Sequence, residues 1–277
     1  MALQPAAHSP AVPSLAEIEA LIVDMDGVLW RDQALLPGVT QFFASLDAWE
    51  LPFVIATNNA TSPASVIRDR LLKEGVRLRD AQVLTSAEAA AVFLVQQVGP
   101  GTPVLVIGES GLRSAVTECG MRIVDRADDA EVVVAGLERG LAWEQLAEAT
   151  LAIRAGALFV ATNTDATFPS ERGLLPGAGA LIAALQTASG VSPVVIGKPE
   201  PRLFLAAVDR MASRPDRTLV VGDRVETDIL GARRGGLPSA LVLTGVTRRE
   251  DLPHAPVQPD WLFEDLPALT AALRAAR

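Results

Sequence analysis

With one cysteine, Cys119, the chain can form no internal disulfide, which fits a reducing compartment. Positive charge is not in excess either. The net charge of −9 argues against nonspecific binding to nucleic acid or to an anionic membrane. No run is both apolar enough and long enough to span a bilayer. Residues 1–14 are rich in Ala and Pro but lack a basic leader and an apolar core. They read as a loose arm rather than a signal peptide, and a cytoplasmic location is expected. An anionic small molecule remains admissible as a substrate, because a local metal outweighs a global field. Lysine is almost absent: of 24 basic residues, only Lys73 and Lys198 are not arginine. Lys73 sits in a charged, helix-like stretch and reads as a solvated charge. Lys198 follows a strand-like run and is the better candidate for a chemical need. Histidine is scarce too, and His8 and His254 lie outside every motif discussed below.

The 277 residues, 49% hydrophobic and 21% charged, suffice for a sizeable core in one or two domains. Short apolar runs alternate with helical patterns along most of the chain. Strands are expected at 21–24, 52–56, 82–84, 104–107, 131–134, 158–161, 193–196, 218–221, 240–243 and 261–263, with helices between most of them. This alternation predicts an α/β fold: a doubly wound parallel sheet with helices on both faces. Residues 15–84 and 181–277 read as its two halves. Residues 85–180 read as a second, smaller α/β unit inserted between them, and 173–179, with Pro176, as a hinge or linker. The end of one insert strand, Ala161-Thr162-Asn163, echoes Ala56-Thr57-Asn58. Shared strand-end chemistry is the simpler account of that likeness.

Asp24-Met25-Asp26-Gly27 directly follows the apolar run Leu21-Ile22-Val23. Ligands of open α/β sheets bind beyond the carboxyl ends of strands. Two carboxylates so close there repel one another unless something positive binds. Three further strand ends carry polar groups: Thr57/Asn58, Lys198, and Asp223 with Asp228. Each has an ordinary alternative as a turn residue, a cap, a surface charge or a helix N-terminal acid. Their order along the chain, each after its own apolar strand, favours one shared site.

These segments resemble the four motifs of haloacid dehalogenase (HAD) superfamily phosphatases. The wording Asp24-Met25-Asp26-Gly27-Val28-Leu29, Thr57-Asn58-Asn59, Gly197-Lys198-Pro199 and Gly222-Asp223-Arg224 through Thr227-Asp228 is closer still to subgroup IIA. That subgroup includes NagD-like, 4-nitrophenylphosphatase and pyridoxal phosphate phosphatase-like enzymes. The resemblance implies a HAD-like Rossmannoid core with an inserted α/β cap, residues 85–180. It implies a Mg²⁺-dependent phosphatase acting on small phosphomonoesters through an aspartyl phosphate. In that reading Asp24 is the nucleophile and Asp26 the acid/base. Asp24, the main-chain carbonyl of Asp26, and Asp223 hold the metal, while Asp228 orients Lys198 or a metal-bound water. Thr57 and Lys198 bind phosphoryl oxygens, with Asn58 and Asn59 nearby. In the cap, Asn163 and Asp165 either contact the substrate or form their own loop turn. A homodimer through the cap would fit the family. A phosphomutase or phosphotransferase of the same superfamily shares these motifs, as does a non-catalytic binder of phosphometabolites. The strands in the insert and the intact Asp24 and Asp26 disfavour both.

Overall fold

Strand β1 (Ala20–Val23) is apolar and buried at all four positions, as a strand covered on both faces requires. In the computed structural model, which describes residues 13–31, 34–170 and 172–277, it lies at the centre of a six-stranded parallel sheet. After β1 come the short antiparallel pair β2 (Trp30–Arg31) and β3 (Ala34–Leu35), then α1 (Val39–Ala48), β4 (Phe53–Thr57), α2 (Ala64–Lys73) and β5 (Val83–Thr85). Thr85 begins α3 (Ser86–Val98) with a capping box. Its hydroxyl accepts the Glu88 N–H at 3.1 Å, and Glu88 accepts the Thr85 N–H at 3.4 Å.

Next come β6 (Pro103–Ile107), α4 (Ser110–Glu118), β7 (Arg122–Val124), β8 (Val132–Ala135), α5 (Trp143–Arg154) and β9 (Leu158–Ala161). The hairpin β10 (Thr167–Ser170) and β11 (Gly173–Pro176) follows, then α6 (Ala178–Ser189) and β12 (Val194–Val195). The chain closes with α7 (Arg202–Met211), β13 (Thr218–Gly222), α8 (Leu230–Gly235), β14 (Ser239–Val242), β15 (Trp261–Phe263) and α9 (Leu266–Ala276).

The core sheet has the order β15-β14-β13-β1-β4-β5, and all its pairings are parallel. From β1 the chain moves outward through β4 and β5. It later restarts at β13 on the other side of β1. The reversal between β1 and β13 is the switch point, where such sheets open a crevice beyond the strand ends. The insert forms a second parallel sheet, β12-β9-β8-β6-β7. One apolar cluster joins the two sheets: Ile22, Val54 and Leu84 of the first, Val104, Val132 and Val160 of the second, with Leu94 of α3 and Phe204 of α7. Among the described residues, no helix is long and apolar enough to cross a membrane.

Two expectations require correction. Residues 173–179, read as a hinge or linker, carry regular structure. Gly173–Pro176 is strand β11, paired in register with β10, and Ala178 and Gly179 begin α6. An isolated hairpin accepts proline at positions where no ladder N–H is needed. Residues 181–196, assigned to the core, build on the insert instead. Ile182 and Leu185 of α6 pack with Phe159 and Val133 of the second sheet, and β12 pairs with β9 (Val194↔Val160). The reading of residues 1–14 as a loose arm falls outside the described residues up to position 12. Ser14 already pairs with Glu17, its N–H donating to the carboxylate at 2.8 Å.

Candidate active site

Asp24 takes the position after β1, and its N–H donates to Val221 O of β13 at 2.8 Å. β13 ends at Gly222, which brings Asp223 out at the switch point. A Cβ on Gly222 would collide with the Asp228 side chain, so only glycine lets that carboxylate fold back over the strand end. Asp228 lies in a π-helical turn, Val225–Ile229, that leads into α8. Such turns recur at functional sites. Its Oδ2 accepts the Arg224 N–H at 3.0 Å, and its Oδ1 accepts from Lys198 Nζ at 2.7 Å. Lys198 Nζ also donates to Asp24 Oδ1. One ammonium thus bridges the two acids, and Lys198, Asp223 and Asp228 are all buried.

The electrostatics follow from this crowding. Burial works against the Lys198 charge, but Asp228 and Asp24 outweigh it and raise its pKa above the ordinary lysine value. Burial pushes the Asp24 carboxyl well above the usual range. Lys198 opposes that rise, and Asp228, Asp223 and Asp26 add to it. Burial, reinforced by Asp228, raises Asp223 to about 7. Three acids facing one ammonium leave surplus negative charge.

Asp24, Asp223 and Asp228 each offer an oxygen within 4.8 Å of the others. Asp223 Oδ2 accepts the Val246 N–H at 2.7 Å, and a Cβ on Gly27 or Gly245 would strike the Asp223 carboxylate. An all-oxygen donor set, held by close backbone and carrying unbalanced charge, fits a hard divalent cation. The Asp26 carboxylate is not one of this cluster. It is exposed and accepts the Trp30 indole N–H at 3.0 Å. The resemblance gives the metal role to the main-chain carbonyl of Asp26, not to this carboxylate.

Asn58 ties this cluster to the insert. Its Oδ1 accepts the Lys198 N–H at 2.8 Å, and its Nδ2 donates to Lys198 O at 3.0 Å and Asp165 Oδ2 at 3.1 Å. Its carbonyl accepts from Asn163 Nδ2 at 2.8 Å and Ser86 Oγ at 2.6 Å. The two strand ends that looked alike in sequence therefore meet. Gly197 fits between them, because a Cβ there would lie 2.5 Å from both Asn58 Oδ1 and Thr162 O.

Residues 21–122 match the haloacid dehalogenase-like hydrolase family, and residues 195–269 match the HAD-hydrolase-like family. The chain is 43% identical over 256 residues to D-glycerol 3-phosphate phosphatase of Mycobacterium tuberculosis, covering 91% of this chain and 71% of that protein. It is 35% identical to acid sugar phosphatase of Staphylococcus aureus, covering 94% and 99% respectively. The crystal structure of glycerol phosphate phosphatase from M. tuberculosis in complex with magnesium superposes with a TM-score of 0.84 at 43% identity, over 93% of this chain and 78% of that one.

The chain belongs to the haloacid dehalogenase-like phosphatases, subgroup IIA.

In this phosphatase, Asp24, Thr57 and Asp223 lie at the ends of core strands, as their motifs imply. Lys198 does not. Its strand, β12, belongs to the insert sheet, and Ile196 and Gly197 continue alongside Ala161 and Thr162 before the chain reaches the site. Thr57 Oγ1 accepts the Asn59 N–H at 3.1 Å. Asn59 Oδ1 accepts both the N–H and the hydroxyl of Thr61 at 2.8 Å, which fixes the loop. Asn163 makes a loop turn, its Oδ1 accepting the Asp165 N–H at 3.1 Å, while its Nδ2 donates to the Asn58 carbonyl at 2.8 Å. Asp165 likewise accepts from Asn58, and burial raises its carboxyl pKa.

The sequence reading of the phosphatase missed the loop after β14. Beyond Val246, Thr247 Oγ1 accepts the Val225 N–H at 3.1 Å and Thr244 Oγ1 donates to Gly27 O at 2.6 Å. The signal was available: Leu243-Thr244-Gly245-Val246-Thr247 is a further polar strand end of the core sheet, beside those of Asp24, Thr57 and Asp223.

Proposed function

We propose that this phosphatase hydrolyses small phosphorylated polyols and sugars with Mg²⁺, through an aspartyl phosphate on Asp24. The observation that carries this is the buried Lys198 ammonium bridging Asp24 and Asp228 beside Asp223. The bridge holds the Asp24 carboxylate fixed at the switch-point crevice and brings a cation to where phosphoryl oxygens gather.

Asp24, Asp223 and the main-chain carbonyl of Asp26 would hold the Mg²⁺, with Asp228 beside them. Bound there, the ion supplies the charge that keeps the buried acids ionised and offsets phosphoryl charge. Lys198 and the Thr57 hydroxyl bind the phosphoryl oxygens. An Asp24 oxygen attacks phosphorus, and the ester P–O bond breaks with its electron pair moving to the leaving oxygen. Asp26 gives that oxygen a proton. Water then attacks phosphorus and passes a proton to Asp26, and the bond to Asp24 breaks with its pair returning to the carboxylate. The sum is ester plus water to alcohol plus phosphate.

The polyol and sugar reading rests on the relatives named for glycerol 3-phosphate and acid sugar substrates. A panel of phosphomonoesters with Mg²⁺, compared by kcat/KM, tests it. Glycerol and sugar phosphates are expected to lead. A tenfold advantage for nucleotides, phosphoglycolate or pyridoxal phosphate overturns the substrate class. Borohydride quenching during turnover tests the intermediate, since it reduces an aspartyl phosphate at position 24 to the homoserine side chain. Turnover with no such product at that position overturns the covalent route.

A further inference from the structure

Asp26 is exposed, yet one of its oxygens is held by a residue that the motif reading gave no role. The Trp30 indole N–H donates to Asp26 Oδ1 at 3.0 Å, while the Trp30 ring is 3% exposed and packs in the core cluster with Val28, Leu29 and Phe43. The backbone fixes the pair as well. Asp26 and Trp30 form an isolated β-bridge, and the Gly27 N–H donates to Trp30 O at 2.8 Å across a turn with Gly27 at φ +80°. The Arg70 guanidinium of α2 lies 3.9 Å over the ring and pins its plane.

We propose that Trp30 is a positioning residue that decides which oxygen of Asp26 serves the leaving group; this rests on the acid/base reading of Asp26 given above. An indole N–H is a donor only. Oδ1, already accepting from it, is the acceptor oxygen of the carboxyl. The transferable proton therefore sits on Oδ2, and the carboxyl plane is fixed by a ring that cannot turn. Without that donor the carboxyl rotates freely, and either oxygen takes the proton. Trp30 itself touches neither phosphorus nor the leaving group.

Protonation matters most for a poor leaving group. An alkoxide needs the proton as the P–O bond breaks, whereas p-nitrophenolate leaves without it. The experiment compares kcat/KM for p-nitrophenyl phosphate and glycerol 3-phosphate in wild type, W30F and D26A, since kcat/KM reports the transfer to Asp24 and not the later hydrolysis. In W30F a loss of about tenfold or more on glycerol 3-phosphate is expected, with at most about twofold on p-nitrophenyl phosphate. Equal losses on the two esters, or none, overturn the positioning role. D26A separates this from failure of the underlying reading. If D26A lowers the two esters equally, Asp26 is not the acid. If D26A discriminates between them and W30F does not, only the role of Trp30 falls. Should W30F fold poorly, benzothienylalanine at position 30 keeps the ring shape and removes only the N–H, and the same comparison applies.

Discussion

Asn58 clasps the main chain of Lys198 at both ends, its Oδ1 accepting the Lys198 N–H at 2.8 Å and its Nδ2 donating to the Lys198 carbonyl at 3.0 Å. The same amide nitrogen reaches Asp165, and the Asn58 carbonyl holds Asn163. The lysine is therefore placed by the insert as much as by the core. Satisfied networks of this kind respond to a single deletion as a unit.

Asn163→Ala and Asp165→Ala are accordingly expected to lower kcat/KM by similar factors on acetyl phosphate and on larger esters. The residues act on the Lys198 loop, which every substrate shares, and not on the leaving group. Kinetics on a size series of phosphomonoesters check this. A loss confined to large esters would return both residues to substrate contact.

Lys198→Arg is expected to lower kcat/KM by about 100-fold despite keeping the charge. The ammonium sits between two carboxylates in a buried space, and a planar guanidinium is too broad to bridge them in the same place. Near-normal kcat/KM in this variant would show that charge alone, without the compact shape, suffices.

Asp24→Asn is expected to lose several powers of ten in kcat, roughly 4 kcal/mol or more of barrier, while phosphate-ester binding persists. The amide keeps the volume and loses the nucleophile. Single-turnover kinetics together with calorimetric titration of a slow substrate separate the two effects.

Mg²⁺ is expected to raise Tm, because it binds the folded acidic cluster and not the unfolded chain. At 100 times its Kd the linkage stabilises by about 2.7 kcal/mol. Asp223→Asn should shrink the shift, and Gly245→Ala should do the same, because the added Cβ strikes the Asp223 carboxylate. Thermal scans with and without the ion, after chelation, measure this without any turnover. Equal shifts in all three proteins would place the ion elsewhere.

The chemistry was more legible in the sequence than the route of the chain. Asp24, Thr57 and Asp223 each end or follow a short, unbroken apolar run, so a buried strand and its polar end can be read together. Val194-Val195 is apolar too, but apolarity does not say which of two sheets a strand joins, and it joins β9 of the insert. The β10–β11 hairpin was hidden by Pro169, Gly173 and Pro176, whose local preferences suit a linker as well as an isolated pair. Trp30 gave no sign at all. Its contact with Asp26 exists because a turn folds position 30 back over position 26, and spacing alone does not reveal that.

Both crossings between core and insert hang on Asn58. The chain leaves at Ser86, whose hydroxyl grips the Asn58 carbonyl, and returns at Lys198, whose N–H grips the Asn58 amide oxygen. For anyone recombining relatives, the transferable cassette is thus 86–196, with Asn58 as its socket. A graft cut at 180 would leave β12 behind without its sheet and strip the lysine of its support. The same arrangement limits divergence in the insert: a one-residue slip between β9 and β12 would carry Lys198 out of the crevice.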